Sequence, residues 1–440
     1  MFRLLFIITL IAGIIPFVIN TKKLIRSIRL GKDINRYDNP KERWGMMARV
    51  ALGQGKMGVR PVSAVLHFIV YIGFFLINIE LIEILIDGIC GTHRFFSFLG
   101  GFYNFLTASL EIMAVLVIIA VCAFWFRRNI LKINRFQQHE LDGFPRKDAN
   151  TILYIELVLM VLFLLYNISD YQNRFYAEYS FTGKGTTQFL VGNFPVSQYL
   201  SSFLPPIFSV YIFKPTFFYL HFVGILFFMN YLYYSKHLHI MLAFPNTYFA
   251  KLTPKGQLDN LESVTREVKL MLDPNADPYA VPAEDVPTEK FGAEDVMDLN
   301  WVQLMNAYSC TECGRCTDVC PANKTGKKLS PRKIMMATRD RLEEVSKNID
   351  TNKEFQPDGK TLLNDYITAE EIWACTTCNA CTEACPILID PLSIIIDLRR
   401  FSVMEQSKAP QELNAMMTTI ENNGAPWQFS PSDRLNWAKK

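Results

Sequence analysis

The chain has 440 residues, of which 50% are hydrophobic and only 20% charged, with a formal net charge of +3. So small a charge says little about nucleic acid by itself, but no basic patch interleaved with aromatics stands out, and no nucleic-acid partner is expected. The length allows two or three domains. Nearly all long apolar runs lie before Phe249, whereas eight of the ten cysteines lie after it, so a membrane part precedes a metal part.

Five stretches, approximately 1–19, 62–86, 105–126, 152–168 and 217–244, are apolar enough to cross a bilayer, for which ~20 residues suffice. The first has one basic residue ahead of it, an over-long apolar core and no small-residue cleavage site. It is expected to stay as a span rather than be removed as a signal peptide. Residues 21–60 hold eleven lysines and arginines and residues 127–149 hold six. The other connections hold far fewer: Arg94 in one, and Arg174, Lys184 and Lys214 in the other. By the positive-inside rule the amino terminus lies outside, and an odd number of spans puts the carboxy-terminal half in the cytoplasm of a bacterial inner membrane. That reducing compartment favours thiolate ligands over disulfides. Cys90 and Cys122 read as packing residues.

The other eight cysteines form CTECGRCTDVCP from Cys310 and CTTCNACTEACP from Cys375. Each is C-x₂-C-x₂-C-x₃-C-P, the spacing of dicluster ferredoxins with two 4Fe–4S cubes. Three thiolates of a motif cap three irons of one cube, and the fourth, followed by proline, reaches the other. Cluster one is therefore assigned to Cys310, Cys313, Cys316 and Cys385, and cluster two to Cys375, Cys378, Cys381 and Cys320. Structural zinc would need two separated cysteine pairs, which neither the third cysteine nor the repeated Cys-Pro suits.

The motifs stand 65 residues apart. The insert, including RKIMMATRDRLEEV, has a helical pattern, and Ser330-Pro331 and Asp390-Pro391 read as N-caps followed by a first-turn proline. Lys324, Lys327, Lys328 and Arg332 are expected on a solvated, positive surface. Residues 250–297, with Pro254, Pro274, Pro278, Pro282 and Pro287, read as an extended linker. The expected fold is all-α: a five-span transmembrane helix bundle (1–249), this linker, an α-helical ferredoxin-type dicluster domain (298–405) and a tail (406–440).

His221 and His239 lie 18 residues apart on the fifth apolar stretch. In one continuous helix that is five turns, on one face and ~27 Å apart in depth. Such a pair suits two b-type haems stacked across a bilayer, each needing a second imidazole at its own depth. His67, near the inner end of the second stretch, is the expected partner of His239. His93, in the external segment GTHRFF, is the remaining partner for His221. His237 points to the other side, and His139 lies in a basic loop.

Glu80, Glu83 and Asp87 form a stripe near the outer face of the second stretch, spaced i, i+3 and i+7. Ionisable groups at membrane depth are expensive and usually functional. Quinol oxidation releases protons, so these three are the candidate catalytic acceptors. Glu111 and Glu156 are further intramembrane acids.

YSKHLHIML (234–242), DLNWVQLMNAYSCTECGRCTDVCPANKTGKKLSPRKI (298–334) and WACTTCNACTEACP (373–386) together resemble membrane-bound heterodisulfide-reductase-related iron–sulfur proteins. In these, a five-span module similar to the cytochrome b subunit of respiratory nitrate reductase is fused to a dicluster domain. The resemblance implies one or two b haems, menaquinone or another quinone, and a soluble redox partner. Two departures matter. That cytochrome carries two histidines on its second span, where this chain has only His67. Many relatives continue into cysteine-rich CCG domains, whereas no cysteine follows Cys385 here, so that module is expected as a separate polypeptide docking near Trp427 and Trp437. No nucleophile or substrate pocket is visible, so quinone is the one substrate expected. The expected function is membrane electron transfer between quinone, b haem, the two clusters and a cytoplasmic CCG-type partner. Alternatives are a membrane-anchored iron–sulfur redox sensor and a haem-free cluster anchor.

Overall fold

The computed structural model describes residues 2–182, 192–205, 212–254, 256–275 and 290–439. Lys184, Pro278, Pro282 and Pro287 lie outside them. The chain is 72% helical, and the described residues contain no strand. Five long helices, Phe2–Ile28, Pro61–Cys90, Gly101–Asn129, Phe144–Thr182 and Phe213–Tyr231, carry segments long and apolar enough to cross a membrane. They are called here the first to fifth spans. The second opens on Pro61, whose missing N–H is harmless in a first turn. It stops where Gly91 turns left-handed (φ 71°) and donates its N–H to the Asp87 carbonyl.

Helices in lipid gain little from hydrophobic burial against one another, so they associate by close approach. A Cβ on Gly73 would stand 2.6 Å from Val117 Cγ2, and one on Gly224 would stand 2.7 Å from Leu159 Cδ2. The bundle core runs between the third and fourth spans, through Leu106, Leu110, Ala114, Val117, Leu159 and Phe163. The first span anchors through Phe6, which stacks on Phe222 with ring centroids 4.1 Å apart. Cys90 and Cys122 are exposed on the helix surfaces rather than packed inside.

The fifth apolar stretch is not one helix. After Tyr231 come a 3-10 turn (Leu232–Tyr234), extended Ser235, a second 3-10 turn (Lys236–Leu238) and the helix His239–Tyr248. Asp148 causes much of this break. Its carboxylate accepts from the Tyr231 hydroxyl at 2.8 Å and from the Lys236 N–H at 3.2 Å, while Ser235 Oγ accepts from the His237 N–H. Backbone groups are thereby satisfied without a continuing helix. The five-turn phase relation expected between His221 and His239 does not hold.

Two compact units result. One comprises residues 1–26, 44–247 and 311–313; the other comprises 27–43, 248–310 and 314–440. In the second, residues just after the first span are tied to the segment before the first motif. Lys32 N–H donates to the Leu299 carbonyl at 2.8 Å, and Trp301 Nε1 donates to the Ile34 carbonyl at 3.2 Å. A Cβ on Gly31 would meet the Asn300 carbonyl carbon at 2.7 Å, so glycine is required there. Arg43, buried, donates to Asp38 and to the Ala250 carbonyl. The core gathers Leu304, Ile334, Leu342, Leu362, Ile372, Ile394 and Leu398, all fully buried. Within the stretch expected to be extended, Glu262–Leu272 is a helix.

Candidate redox centres

The two cysteine motifs repeat one backbone. Glu312 and Gly314 flank Cys313 with φ of 55° and 71°, and Thr377 and Asn379 flank Cys378 with φ of 55° and 58°. Matching helices follow, Arg315–Val319 and Ala380–Ala384. Beyond each, a long helix is capped as expected: Ser330 accepts from Lys333 N–H, and Asp390 accepts from Leu392 and Ser393 N–H. The threonine after each third cysteine reaches that cap, Thr317 to Ser330 at 2.8 Å and Thr382 to Asp390 at 3.0 Å. The duplication therefore extends from the loops to their supports.

These residues fit iron–sulfur cubes. The Cys375 thiol senses the charges of Cys320 and Cys378, and Cys381 senses that of Cys375. Cys320 of the first motif is thus within electrostatic reach of Cys375 of the second, which is compatible with the ligand exchange of a dicluster fold. Burial raises the Cys375 thiol above its ordinary pKa and pushes Cys381 up to about 12. Among the described residues no three His, Cys, Asp or Glu side chains could share a single metal ion. A cube binds each sulfur to a different iron, so its thiolates stand farther apart. Backbone N–H groups of Thr377 and Ile389 donate to Cys375 Sγ at 3.4 Å and Cys385 Sγ at 3.3 Å. Such bonds help set cluster potential. Arg399 holds the second motif through the Ile372 and Cys375 carbonyls. Of the expected basic surface, Lys328 pairs with Glu370 in solvent, but Arg332 is fully buried.

His67 and His239 come together, with ring centroids 6.5 Å apart and planes at 40°. Two imidazoles sharing one metal, each bonded at about 2.0–2.1 Å, stand at a similar separation. His67 Nδ1 bonds Gln54 Oε1 at 3.1 Å, and His239 Nδ1 bonds the Lys236 carbonyl at 3.1 Å. Such bonds assign Nε2 as the metal-facing atom, the usual support for a ligating histidine. These two residues fit a bis-imidazole haem site.

His93 and His221 are not paired in this way. His93 lies against Arg174 and Lys214, both at 2.8 Å, and Asp170 at 3.2 Å, so both ring nitrogens are occupied. His221 is buried against Phe163, with the Leu159 backbone nearby and, among the described residues, no well-formed hydrogen bond at either ring nitrogen. The cause is Asp170, whose carboxylate gathers His93, Arg94, Arg174 and Lys214. His237 Nε2 stands 4.0 Å from Glu156 Oε1.

The acidic stripe divides by role. Asp87 accepts from Thr92 Oγ1 and from the Arg94 and Phe95 N–H groups, anchoring the turn after the second span. Glu83 accepts from Phe96 N–H and the Tyr103 hydroxyl. Glu80 is 3% exposed, and its Oε1 has no partner among the described residues. Glu111 accepts from Val196 and Ser197 N–H, capping the short helix Pro195–Ser201. Sequence reasoning misses Arg94 and Lys236. Arg94 reads as a loop charge, yet it is buried beside Asn167, Asp170, Tyr166 and Phe194. The available signal is its place seven residues after Asp87 in a short apolar connection.

Residues 309–388 match the family model of a 4Fe-4S dicluster domain. The "Probable iron-sulfur-binding oxidoreductase FadF" of Bacillus subtilis is 28% identical over 99% of this chain and 60% of its own length. The EtfAB:quinone oxidoreductase of Syntrophomonas wolfei is 33% identical over 38% of this chain and 26% of its own. A component of the ferredoxin/F420H2-dependent CoB-CoM heterodisulfide reductase of Methanosarcina acetivorans is 31% identical over 27% of this chain and 60% of its own. The matched part of this chain thus spans from 26% to 60% of these relatives. No solved structure matches. The chain is a relative of iron–sulfur oxidoreductases and heterodisulfide reductase subunits, carrying a 4Fe–4S dicluster domain after five helices long and apolar enough to cross a membrane.

Proposed function

We propose that this chain passes electrons between menaquinone or another quinone, one b-type haem held by His67 and His239, and the two 4Fe–4S clusters. The electrons are exchanged with a cytoplasmic CCG-type iron–sulfur partner. The observation that carries this reading is the pair of facing imidazoles, each with Nδ1 tied to an acceptor. A bound haem supplies a one-electron store between a two-electron quinone and one-electron clusters. Quinone is supported by the name of the Syntrophomonas relative, and an iron–sulfur partner by the heterodisulfide reductase relatives. The inner-membrane orientation is supported by the eleven and six basic residues of the two inner connections.

Quinol oxidation yields two electrons and two protons. Glu80 is the acceptor this reading favours, because it is buried and its Oε1 is uncommitted among the described residues. Glu83 and Asp87 hold the adjoining loop and the Tyr103 hydroxyl in place. Replacing Glu80 by Gln is expected to slow oxidation of a menaquinol analogue about 10²-fold, the usual scale for a lost general base. An unchanged rate and pH profile would remove Glu80 from proton transfer.

The deciding experiment is a reduced-minus-oxidised absorption spectrum of detergent-purified protein. A b-type α-band is expected in the native chain and in His93→Ala. It should vanish in His67→Ala and in His239→Ala, with the iron–sulfur paramagnetic signals retained. No α-band in native protein that carries both clusters would leave the haem-free anchor as the reading.

A further inference from the structure

The two cysteine motifs share one kind of support, and the two supports differ by a charge. After the third cysteine of each motif comes a threonine whose hydroxyl reaches the N-cap of the following long helix. In the first motif that cap is Ser330, a neutral side chain, with Thr317 Oγ1 2.8 Å from its hydroxyl. In the second it is Asp390, whose Oδ1 accepts from Thr382 Oγ1 at 3.0 Å and from the Leu392 and Ser393 N–H groups. Thr382 Oγ1 in turn lies 3.9 Å from Cys381 Sγ, so the carboxylate stands one hydroxyl away from that sulfur. Two residues past the caps the contrast repeats: Ser330 is followed by buried Arg332, and Asp390 by buried Leu392. All of these residues fold within the second unit.

From this we propose that Asp390 is a potential-setting residue, holding the cube capped by Cys375, Cys378 and Cys381 at a lower reduction midpoint than an uncharged cap would give. The proposal rests on the reading that these three thiolates hold cluster two. Reduction adds one electron to the cube, and with it one negative charge, while no bond or proton changes.

Two effects run the same way. A fixed anion repels the added charge, and it does so more strongly where water is excluded. The carboxylate also takes the single proton that Thr382 Oγ1 has to give, so this hydroxyl cannot donate to Cys381 Sγ. Hydrogen bonds to cluster sulfurs help set the potential, and a donor there would favour the more negative, reduced cube. In the first motif either hydroxyl can be the donor, so the Thr317 proton is not committed to an anion. Arg399 acts in the opposite sense, bringing a cation to the Cys375 carbonyl. The share of Asp390 is therefore read from variants rather than from the order of the two native midpoints.

The test is a dithionite redox titration of the full chain, with both cubanes followed by paramagnetic resonance. Asp390→Asn keeps a capping oxygen and removes the charge. The reduction equilibrium of one cubane is expected to become about tenfold more favourable, an upward shift of ~59 mV for a one-electron couple. Asp390→Ser, the cap that the first motif already uses, should shift the same cubane the same way and covers a failure of the first variant to assemble. Ser330→Asp carries the charge to the other cap and should lower the midpoint of the other cubane. Native midpoints in Asp390→Asn or Asp390→Ser, with both cubanes present, show a cap that acts through packing alone and overturn the proposal. So does a result in which the Asp390 and Ser330 variants move the same cubane. Absence of cubane signals from the native chain instead overturns the cluster reading on which the proposal rests.

Discussion

Cys320 belongs to the first motif by sequence, but it lies within electrostatic reach of Cys375 of the second. Cys320→Ser should therefore remove one iron site from cluster two and leave cluster one intact. Paramagnetic resonance of anaerobic protein is expected to show one cubane signal kept and the other lost or converted to a three-iron form. Loss of both, or of the cluster held by Cys310, Cys313 and Cys316, would reverse the assignment. Residues of this kind are legible in a sequence because iron–sulfur chemistry fixes their spacing locally. Arg94 and Lys236 are not legible, because their roles depend on groups far along the chain: Asp170 lies 76 residues from Arg94, and Glu312 lies 76 from Lys236. His93 misleads for the same reason. Its partners Arg174 and Lys214 come from segments 81 and 121 residues away.

The first four span ranges expected from hydropathy fall short of the helices, because hydropathy reports the apolar middle while caps and turns decide the ends. The fifth stretch shows where periodicity stops being informative. Its apolar run continues past Tyr231, but one aspartate, Asp148, takes the Tyr231 hydroxyl and the Lys236 N–H and redirects the chain. The capped helices after each motif are readable because a serine or aspartate before proline acts on its own next turn. Ser330→Ala removes a cap to Lys333 N–H and the partner of Thr317. It should destabilise the second unit by about 1–2 kcal/mol, read as a lower denaturation midpoint. Arg341→Met is expected to be worse. Arg341 is fully buried and holds Asp295 and Asp358 together. Breaking such a pair leaves carboxylates without their cation at ~3–5 kcal/mol, toward the low end here because Asp358 keeps some solvent. A midpoint shift no larger than that of Ser330→Ala would show that the two acids are solvated rather than dependent on the arginine.

At the scale of the whole molecule, the all-α bundle and dicluster region are readable in the sequence, but the grouping of residues 27–43 with the second unit is not, since a few backbone bonds to Leu299 and Trp301 carry it. Topology is the property on which the proposed function makes its sharpest remaining demand. If the amino terminus is outside, the second span runs outward, and its last residue, Cys90, emerges on the outer face. Cys90 is exposed, whereas the cluster cysteines are expected to be ligated on the opposite side. Cys122 lies on the third span, one turn before Arg127 and Arg128 at the inner end. A membrane-impermeant maleimide added to intact cells (or to spheroplasts, if an outer envelope blocks it) should therefore label the native chain and fail to label Cys90→Ser. Removing Cys122 should change nothing until the membrane is opened. The sign of the result is informative because the charge asymmetry that sets orientation is a bias over whole connections, not a single contact. Labelling of Cys90 only after permeabilisation would invert every span, place the clusters outside, and remove the reducing compartment that the proposed electron transfer requires.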